Sequence, residues 1–204
     1  MTTFILTRHG ETIWHAENRY AGRSDIPLTP KGEQQGAGLA RWAAGAGLTG
    51  IWSSTLGRAA QTARGSAEAT GLELHLDPRL VELDFGQGEG LTAAEMHRQF
   101  PDALAAFRED PVASHLPGGE DPVLAIQRYH QVLQAISEED PDGRVLLVAH
   151  STMIRLVLCS YLSLPLAAYR RVFPVLGNCS LTELRTGGDG AALLRYNAPA
   201  LPAS

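Results

Sequence analysis

Short apolar runs alternate with amphipathic stretches along most of the chain. The strongest run is residues 144–149 (RVLLVA), and its uninterrupted apolar side chains are typical of a central parallel strand that is buried on both faces. A second buried strand is predicted over residues 3–7 (TFILT). Between residues 123 and 138, by contrast, apolar residues recur at helical spacing and predict an amphipathic helix.

The remaining segments continue this alternation. Further helices are predicted over residues 30–44, 58–69 and 151–162, and further strands over residues 51–53, 73–76, 181–185 and 192–196. Thr29 is expected to cap the first of these helices and Gly71 to end the second. Alternating strands and helices indicate an α/β fold built as a three-layer sandwich, with helices on both faces of a mainly parallel central sheet.

One segment departs from the alternation. Residues 86–121 contain two short helix signals, over residues 93–100 and 103–108, followed by the loop DPVASHLPGGED. We interpret this segment as a small lid inserted into a single domain that spans residues 1–204. The Pro-rich end of the chain, residues 199–204, is expected to fray.

Composition is that of a globular protein with one core. The 204 residues are 44% hydrophobic, and the formal net charge of -5 argues against a general nucleic-acid binder. No window reaches the roughly 18 apolar residues of a membrane span, and the start, MTTFILTRHG, does not match a signal peptide. We therefore expect a cytoplasmic protein without nucleic-acid or membrane partners, in which Cys159 and Cys179 are reduced, buried thiols. A homodimer is left open.

The candidate catalytic residues follow strands or lie near helix starts. Arg8 and His9 come directly after the first strand, and His150 comes directly after the strongest one. Because ligands of open α/β sheets bind at the carboxyl ends of the strands, both histidines fall where a site is expected. Arg58 lies at the start of a helix, whose free N–H groups favour an anion. Glu82 lies in a loop followed by several glycines.

Two arginines, two histidines and free backbone N–H groups together suit a phosphoryl group. Arginine binds phosphate through paired hydrogen bonds and keeps its charge. A neutral imidazole can then attack phosphorus while the other histidine stabilises the developing charge. Since a carboxylate would repel phosphate as a ligand, Glu82 is better suited to donate a proton to the leaving oxygen.

Five segments in order along the chain carry a family resemblance. They are LTRHGETIW, NRYAGRSDIPLTPKG, SSTLGRAAQTA, VELDFGQGEG and LLVAHSTMIR, and LGNCSLTEL at residues 176–184 extends them. Together they resemble the histidine phosphatase superfamily, the phosphoglycerate-mutase-like clan, and within it the alpha-ribazole phosphatases and broad-specificity phosphatases. The resemblance implies that the fold is phosphoglycerate-mutase-like.

The same resemblance implies roles for five residues. His9 would be the nucleophile that becomes phosphohistidine, and Arg8, Arg58 and His150 would hold the phosphoryl oxygens. Glu82 would be the general acid and later the base that activates water. No metal or organic cofactor is implied. A metal site made of histidines is not favoured, because no carboxylate–histidine spacing supports it.

The sequence departs from the family pattern at the outer substrate contacts. His15 stands where asparagine is usual, with Asn18 nearby as another source of an amide. Ala21 precedes Gly22 where glutamine or threonine is common, and Ser151 replaces a glycine. We treat His15, Ala21, Gly22 and Ser151 as candidate substrate-binding residues.

Three functions remain open at this point. The long insertion of the mutases, with its Glu-Arg-His-Tyr sequence, is missing after Glu82, which favours a phosphomonoesterase over a cofactor-dependent phosphoglycerate mutase. A non-catalytic module that binds phosphate esters is the third reading. Residues 86–121 carry two basic and seven acidic side chains, so a lid of this charge would suit a small monoester with a neutral body, such as a sugar, nucleoside or alpha-ribazole phosphate. Asp84 and Glu89 compete with Glu82 as the acid.

Overall fold

A computed structural model describes residues 1–188 and 190–201 of the chain. Its strands are β1 (Thr2–Arg8), β2 (Gly50–Ser54), β3 (Leu74–Asp77), β4 (Arg144–Ala149), β5 (Leu181–Gly187) and β6 (Gly190–Ala198). Its α-helices are α1 (Pro30–Ala43), α2 (Gly57–Thr70), α3 (Ala93–Gln99), α4 (Pro101–Glu109), α5 (Pro122–Glu139), α6 (Ser151–Tyr161) and α7 (Tyr169–Val172). Residues 202–204 of the tail that was expected to fray lie outside the described residues.

The six strands form one mainly parallel sheet, in the order β3-β2-β4-β1-β5-β6. The first four of these run parallel, whereas β5 pairs antiparallel with β1, and β6 pairs antiparallel with β5. The predicted α/β class and mainly parallel sheet are therefore confirmed. β4 lies at the centre of the parallel part, as its continuous apolar run indicated.

Helices cover both faces of the sheet, as the sequence predicted. Successive side chains of β1 and β4 point to opposite faces because a strand has a period of two. Phe4 and Leu147 belong to a buried cluster with α5 and α6, whereas Ile5 and Leu146 belong to a second cluster with α1 and α2. The two clusters form the two interfaces of a three-layer sandwich.

The beginning of α1 also fixes the loop that follows β1. The Thr29 side chain accepts a hydrogen bond from the Gly32 amide, as predicted for an N-cap. A Cβ on Gly10 would lie 2.4 Å from the Gly32 carbonyl oxygen, so Gly10 is required for close packing against α1. The backbone of Gly10 has no positive φ, so the missing side chain, and not conformational freedom, is what this position requires.

The insert, residues 86–121, packs into the larger core cluster. It contains α3, α4 and a short 3-10 helix, and its apolar side chains Met96, Leu104 and Phe107 are buried beside α5.

Elsewhere, Cys159 and Cys179 are both buried and unbonded to each other. No helix in the described part of the chain is long and apolar enough to cross a membrane.

Candidate active site

A cavity of about 500 Å³ opens at the carboxyl edge of the parallel strands. Of the predicted site residues, it is lined by Arg8, His9, His15, Ala21, Glu82 and Ser151. Arg58 and His150 contact His9 from behind the cavity wall: Arg58 lies 3.2 Å from it, and the two imidazole centroids are 5.2 Å apart. The structure thus brings the five candidate catalytic residues together.

His9 is buried in a neutral, defined tautomer. Its Nδ1 lies 2.7 Å from the Gly10 carbonyl oxygen, which can only accept, so Nδ1 carries the proton. Burial lowers the pKa of His9 well below its ordinary value, and the charges of Arg58 and Arg8 lower it further. Nε2 is therefore unprotonated near neutral pH.

Arg58 contacts His9 and also fixes a neighbouring loop. Its Nε–H donates to His9 Nε2 at 3.2 Å. Its two terminal nitrogens donate to the Ser24 and Gly22 carbonyl oxygens at 2.6 and 2.7 Å. Burial lowers its pKa from the ordinary arginine value. A guanidinium has five N–H groups, so two remain for a ligand.

Arg8 is held between the chain and His15. One terminal nitrogen donates to the Leu176 carbonyl oxygen at 3.2 Å, and the other lies 2.6 Å from His15 Nε2. Burial lowers the pKa of Arg8 to about 10, so it is still charged at neutral pH. His15 is neutral as well, because burial and the charge of Arg8 lower its pKa to about 4. The candidate His15 therefore lines the cavity and contacts Arg8 there.

His150 is fully buried at the beginning of α6. Its Nε2 lies 2.9 Å from Ser54 Oγ, which also accepts the Leu56 amide. Burial lowers the pKa of His150 well below its ordinary value, followed by the charges of Arg58 and His9. His150 is thus held neutral.

Two buried nitrogens at this place have no hydrogen-bond partner among the described residues. They are Arg8 Nε and His150 Nδ1. An unpartnered buried polar group is costly, and native structures leave few of them. Both nitrogens lie on side chains that flank His9. An anion with several oxygens, placed against His9, would accept from Arg8 Nε and from the Nδ1-protonated tautomer of His150.

Glu82 is the carboxylate that faces the cavity. Its Oε1 accepts the amides of Leu83 and Met153, and its Oε2 accepts the Thr152 amide at 2.9 Å, so it lies across the N-terminus of α6. Oε2 keeps one lone pair free for a proton or a substrate oxygen. The competing carboxylates Asp84 and Glu89 bind loop amides and do not line the cavity.

The remaining candidates differ in position. Ala21 and Ser151 line the cavity, as a substrate contact requires. Gly22 does not line it. Instead its carbonyl accepts from Arg58, and a Cβ there would lie 2.4 Å from the Leu83 carbonyl oxygen. The expectation of a substrate contact at Gly22 is therefore replaced by a close approach of two loops. Asn18 does line the cavity.

Several residues that contact the site or line its cavity were not identified from the sequence. Asn178 Nδ2 donates to the His9 carbonyl oxygen at 2.8 Å. It lies in the segment LGNCSLTEL, so that motif could have identified it. Ser54, which lies 2.9 Å from His150 Nε2, belongs to SSTLGRAAQTA in the same way. Arg155 and Arg170 also line the cavity, and no motif marked Arg170.

The insert contributes no residue to the cavity wall in the described chain. The walls come from residues 12–21, from Phe85, from the start of α6 and from residues 170–176. The apolar side chains of the insert are held in the core cluster instead. The acidic side chains of the insert therefore do not line the cavity. The expectation of a substrate with a neutral body rested on their charge, so it loses its basis.

The family model of the histidine phosphatase superfamily (branch 1) matches residues 4–199. The chain belongs to the histidine phosphatase superfamily. Among curated relatives of this superfamily, "Probable phosphoglycerate mutase GpmB" of Escherichia fergusonii is 37% identical over 184 residues, which are 90% of this chain and 85% of that protein. The same protein of Cronobacter sakazakii is 38% identical over 187 residues, with the same shares covered.

Solved structures of similar proteins agree with this assignment. Bacillus stearothermophilus YhfR superposes with a TM-score of 0.90 at 30% identity, over 97% of this chain and 98% of that one. A mycobacterial glucosyl-3-phosphoglycerate phosphatase complexed with VO3 gives 0.87 at 31% identity, over 96% and 99%. The alpha-ribazole phosphatase of Shigella flexneri, at 0.87 and 23% identity over 99% of each chain, shows the shared fold alone. Family and neighbours together support a phosphatase or a mutase.

Proposed function

We propose that this protein is a phosphomonoesterase that hydrolyses a small phosphate ester through a phosphohistidine on His9. The observation that carries the proposal is a neutral imidazole whose unprotonated Nε2 faces an arginine, flanked by two buried nitrogens without partners, Arg8 Nε and His150 Nδ1. A phosphoryl group accepts hydrogen bonds on its oxygens and an attack on its phosphorus, so it fits both features.

The first half-reaction transfers the phosphoryl group. His9 Nε2 forms a bond to phosphorus while the bond to the ester oxygen breaks. Arg8, Arg58 and His150 hold the phosphoryl oxygens, and Glu82, protonated at Oε2, gives its proton to the leaving alcohol. The products are an alcohol and phosphohistidine.

The second half-reaction restores His9. Glu82, now ionised, takes a proton from a water molecule, whose oxygen bonds to phosphorus as the phosphorus–nitrogen bond breaks. Inorganic phosphate leaves, and His9 is neutral again with Glu82 protonated. A related mycobacterial phosphatase holds VO3 in its structure, which supports an oxyanion site in this chain also. No metal enters either step of this proposal.

A mutase is the second candidate, because the curated relatives carry that name. In a mutase the phosphoryl group on the histidine is transferred to the product, and until then it is kept from water. The cavity is open and the insert does not line it, which favours hydrolysis. A non-catalytic binding module would keep the oxyanion contacts but form no phosphohistidine.

A hydrolysis screen with EDTA present tests the proposal. Wild type and His9→Ala are compared on p-nitrophenyl phosphate, sugar phosphates, nucleotides, alpha-ribazole phosphate and 3-phosphoglycerate. We expect phosphate release and an acid-labile phosphoenzyme in the wild type, and a loss of both by at least about 1,000-fold in His9→Ala. Labelling without release, together with transfer to a second phosphoglycerate, would favour the mutase. Binding without labelling would favour the binding module.

Replacement of Glu82 tests its proposed role separately. Glu82→Gln should slow alkyl phosphates by about 100-fold or more, since their leaving oxygen needs a proton. It should slow p-nitrophenyl phosphate far less, because that leaving group departs as an anion. Asp84→Asn is the matched control, from a carboxylate that does not line the cavity. Equal losses on both substrates would remove Glu82 as the general acid.

A further inference from the structure

The cavity wall carries more positive charge than one phosphoryl group requires. Arg8 and Arg58 are assigned to that group in the proposed function. Arg19, Arg155 and Arg170 also line the cavity, and Glu82 is the one carboxylate among its lining residues in the described chain. Arg19 is neutralised by Glu17 and Glu95, at 2.7 and 2.9 Å. Arg155 and Arg170 therefore remain to be explained.

Neither of these two arginines has a carboxylate within 4 Å in the part of the chain that the structure describes. Arg155 donates to the Ser151 carbonyl and hydroxyl oxygens, both at 3.0 Å, and to the Phe173 carbonyl oxygen at 3.4 Å; all three are neutral acceptors, and two of its five N–H groups remain. Arg170 lies over the Phe107 ring, with 4.6 Å from its guanidinium carbon to the ring centroid. Their charges are thus not compensated by the protein.

The two guanidinium groups are also oriented by one aromatic side chain. Arg155 lies 5.3 Å and Arg170 lies 5.2 Å from the centroid of the Tyr169 ring. Stacking on an aromatic face restrains a guanidinium but leaves its edge N–H groups free. Arg155 comes from α6, one turn after Ser151, so it extends the cavity wall outward from the His150 side.

We propose that Arg155 and Arg170 form a second anion subsite, which binds a carboxylate or a second phosphate on the same small ester. This inference rests on the proposed function, and it replaces the neutral-bodied substrate with one that carries two anionic groups. Guanidinium edges match carboxylate and phosphate oxygens, and both arginines line the cavity that His9 faces. The pair would determine which esters bind, since His9 and its neighbours recognise any phosphoryl group.

Binding measurements on three related ligands test the subsite without relying on turnover. Glycerol 3-phosphate has a neutral CH2OH group where 3-phosphoglycerate has a carboxylate, and 2,3-bisphosphoglycerate adds a second phosphate. Kd is measured by calorimetry in His9→Ala protein, which keeps the ligands intact, with and without Arg155→Gln and Arg170→Gln. We expect at least one charged ligand to bind about tenfold or more tightly than glycerol 3-phosphate, and the double variant to abolish that preference.

The controls separate charge from fold. Arg171→Gln removes the same charge from an exposed neighbour on α7 that does not line the cavity, and it should leave the preference intact. Arg170→Gln alone keeps every hydrogen bond of Arg155 and should lower the preference if the double variant is unstable. Equal Kd values for all three ligands, or a preference that survives the double variant, would overturn the subsite. Absence of turnover by wild type on every ester would instead contradict the proposed function.

Discussion

At the scale of single residues, His15 is an imidazole that lines the cavity and contacts Arg8. Its Nε2 lies 2.6 Å from Arg8, and its Nδ1 lies 2.9 Å from the Thr12 hydroxyl. Since arginine can only donate, Nε2 accepts from Arg8, while Nδ1 also faces the Thr12 amide at 2.9 Å. His15 contacts Arg8 in this way, and under the proposed function it is a positioning residue for the phosphoryl group.

Substitution of His15 should therefore weaken phosphate binding. His15→Ala removes the acceptor for Arg8, so we expect KM for p-nitrophenyl phosphate to rise about five- to tenfold with little change in kcat. His15→Asn should recover most of that loss, because an amide oxygen accepts the same hydrogen bond. His97→Ala, from an exposed histidine of α3, is the control. A fall in kcat with unchanged KM would contradict a positioning role.

At the scale of elements, the sequence predicted what depends on local periodicity. With the exception of α7, the strands and helices from β1 to β6 were each placed within a few residues of their observed bounds, because apolar runs and helical spacing reflect local burial. The rule that ligands bind at strand ends correctly brought His9 and His150 together. Helix α7 was missed, since its four residues are too short to show a period. Arg170 was missed with it.

Long-range contacts lay beyond the sequence for a different reason. The sequence placed Glu82 in a loop but said nothing of Arg128 on α5, which binds that loop. Arg128 donates to the carbonyl oxygens of Val81 and Glu82 at 2.9 and 3.1 Å, and to both carboxylate oxygens of Glu120. These contacts span 46 and 47 residues of chain, so no local pattern reveals them. Arg128 thus fixes the backbone from which the Glu82 side chain projects.

Removal of Arg128 should disturb both stability and chemistry. Arg128→Met leaves buried carbonyl groups without donors, which should lower the free energy of unfolding by about 2–4 kcal/mol. Because Arg128 acts through Glu82, kcat should fall more for alkyl phosphates than for p-nitrophenyl phosphate. Urea unfolding and the two rates provide the measurement, with the exposed Arg98→Met as control. Loss of stability with equal losses on both substrates would show a purely structural role.

At the scale of the whole molecule, the site opposes the ordinary ionisation of its histidines. His9 and His150 come from loops after two adjacent strands and are buried together beside two arginines. The surrounding elements bury both side chains, so each imidazole is held neutral by burial and by positive neighbours. Holding both imidazoles neutral has a cost in the free energy of unfolding at acid pH. There the unfolded chain can bind protons at these histidines, whereas the folded chain does not.

This cost predicts how the stability of the fold depends on pH. Below pH 6.5 the unfolded chain binds protons at His9 and His150, whereas the folded chain does not, because its pKa values are lowered. Above about pH 6.5 these two histidines should therefore cause no loss of stability. As the pH drops from 6.5 to 5, the free energy of unfolding should fall by up to about 1.4 kcal/mol per pH unit for each histidine. Urea unfolding at several pH values measures the slope. His150→Gln should reduce it, whereas His97→Gln should not, and a wild-type stability that is flat or rises over this window would show that the two histidines are not held neutral.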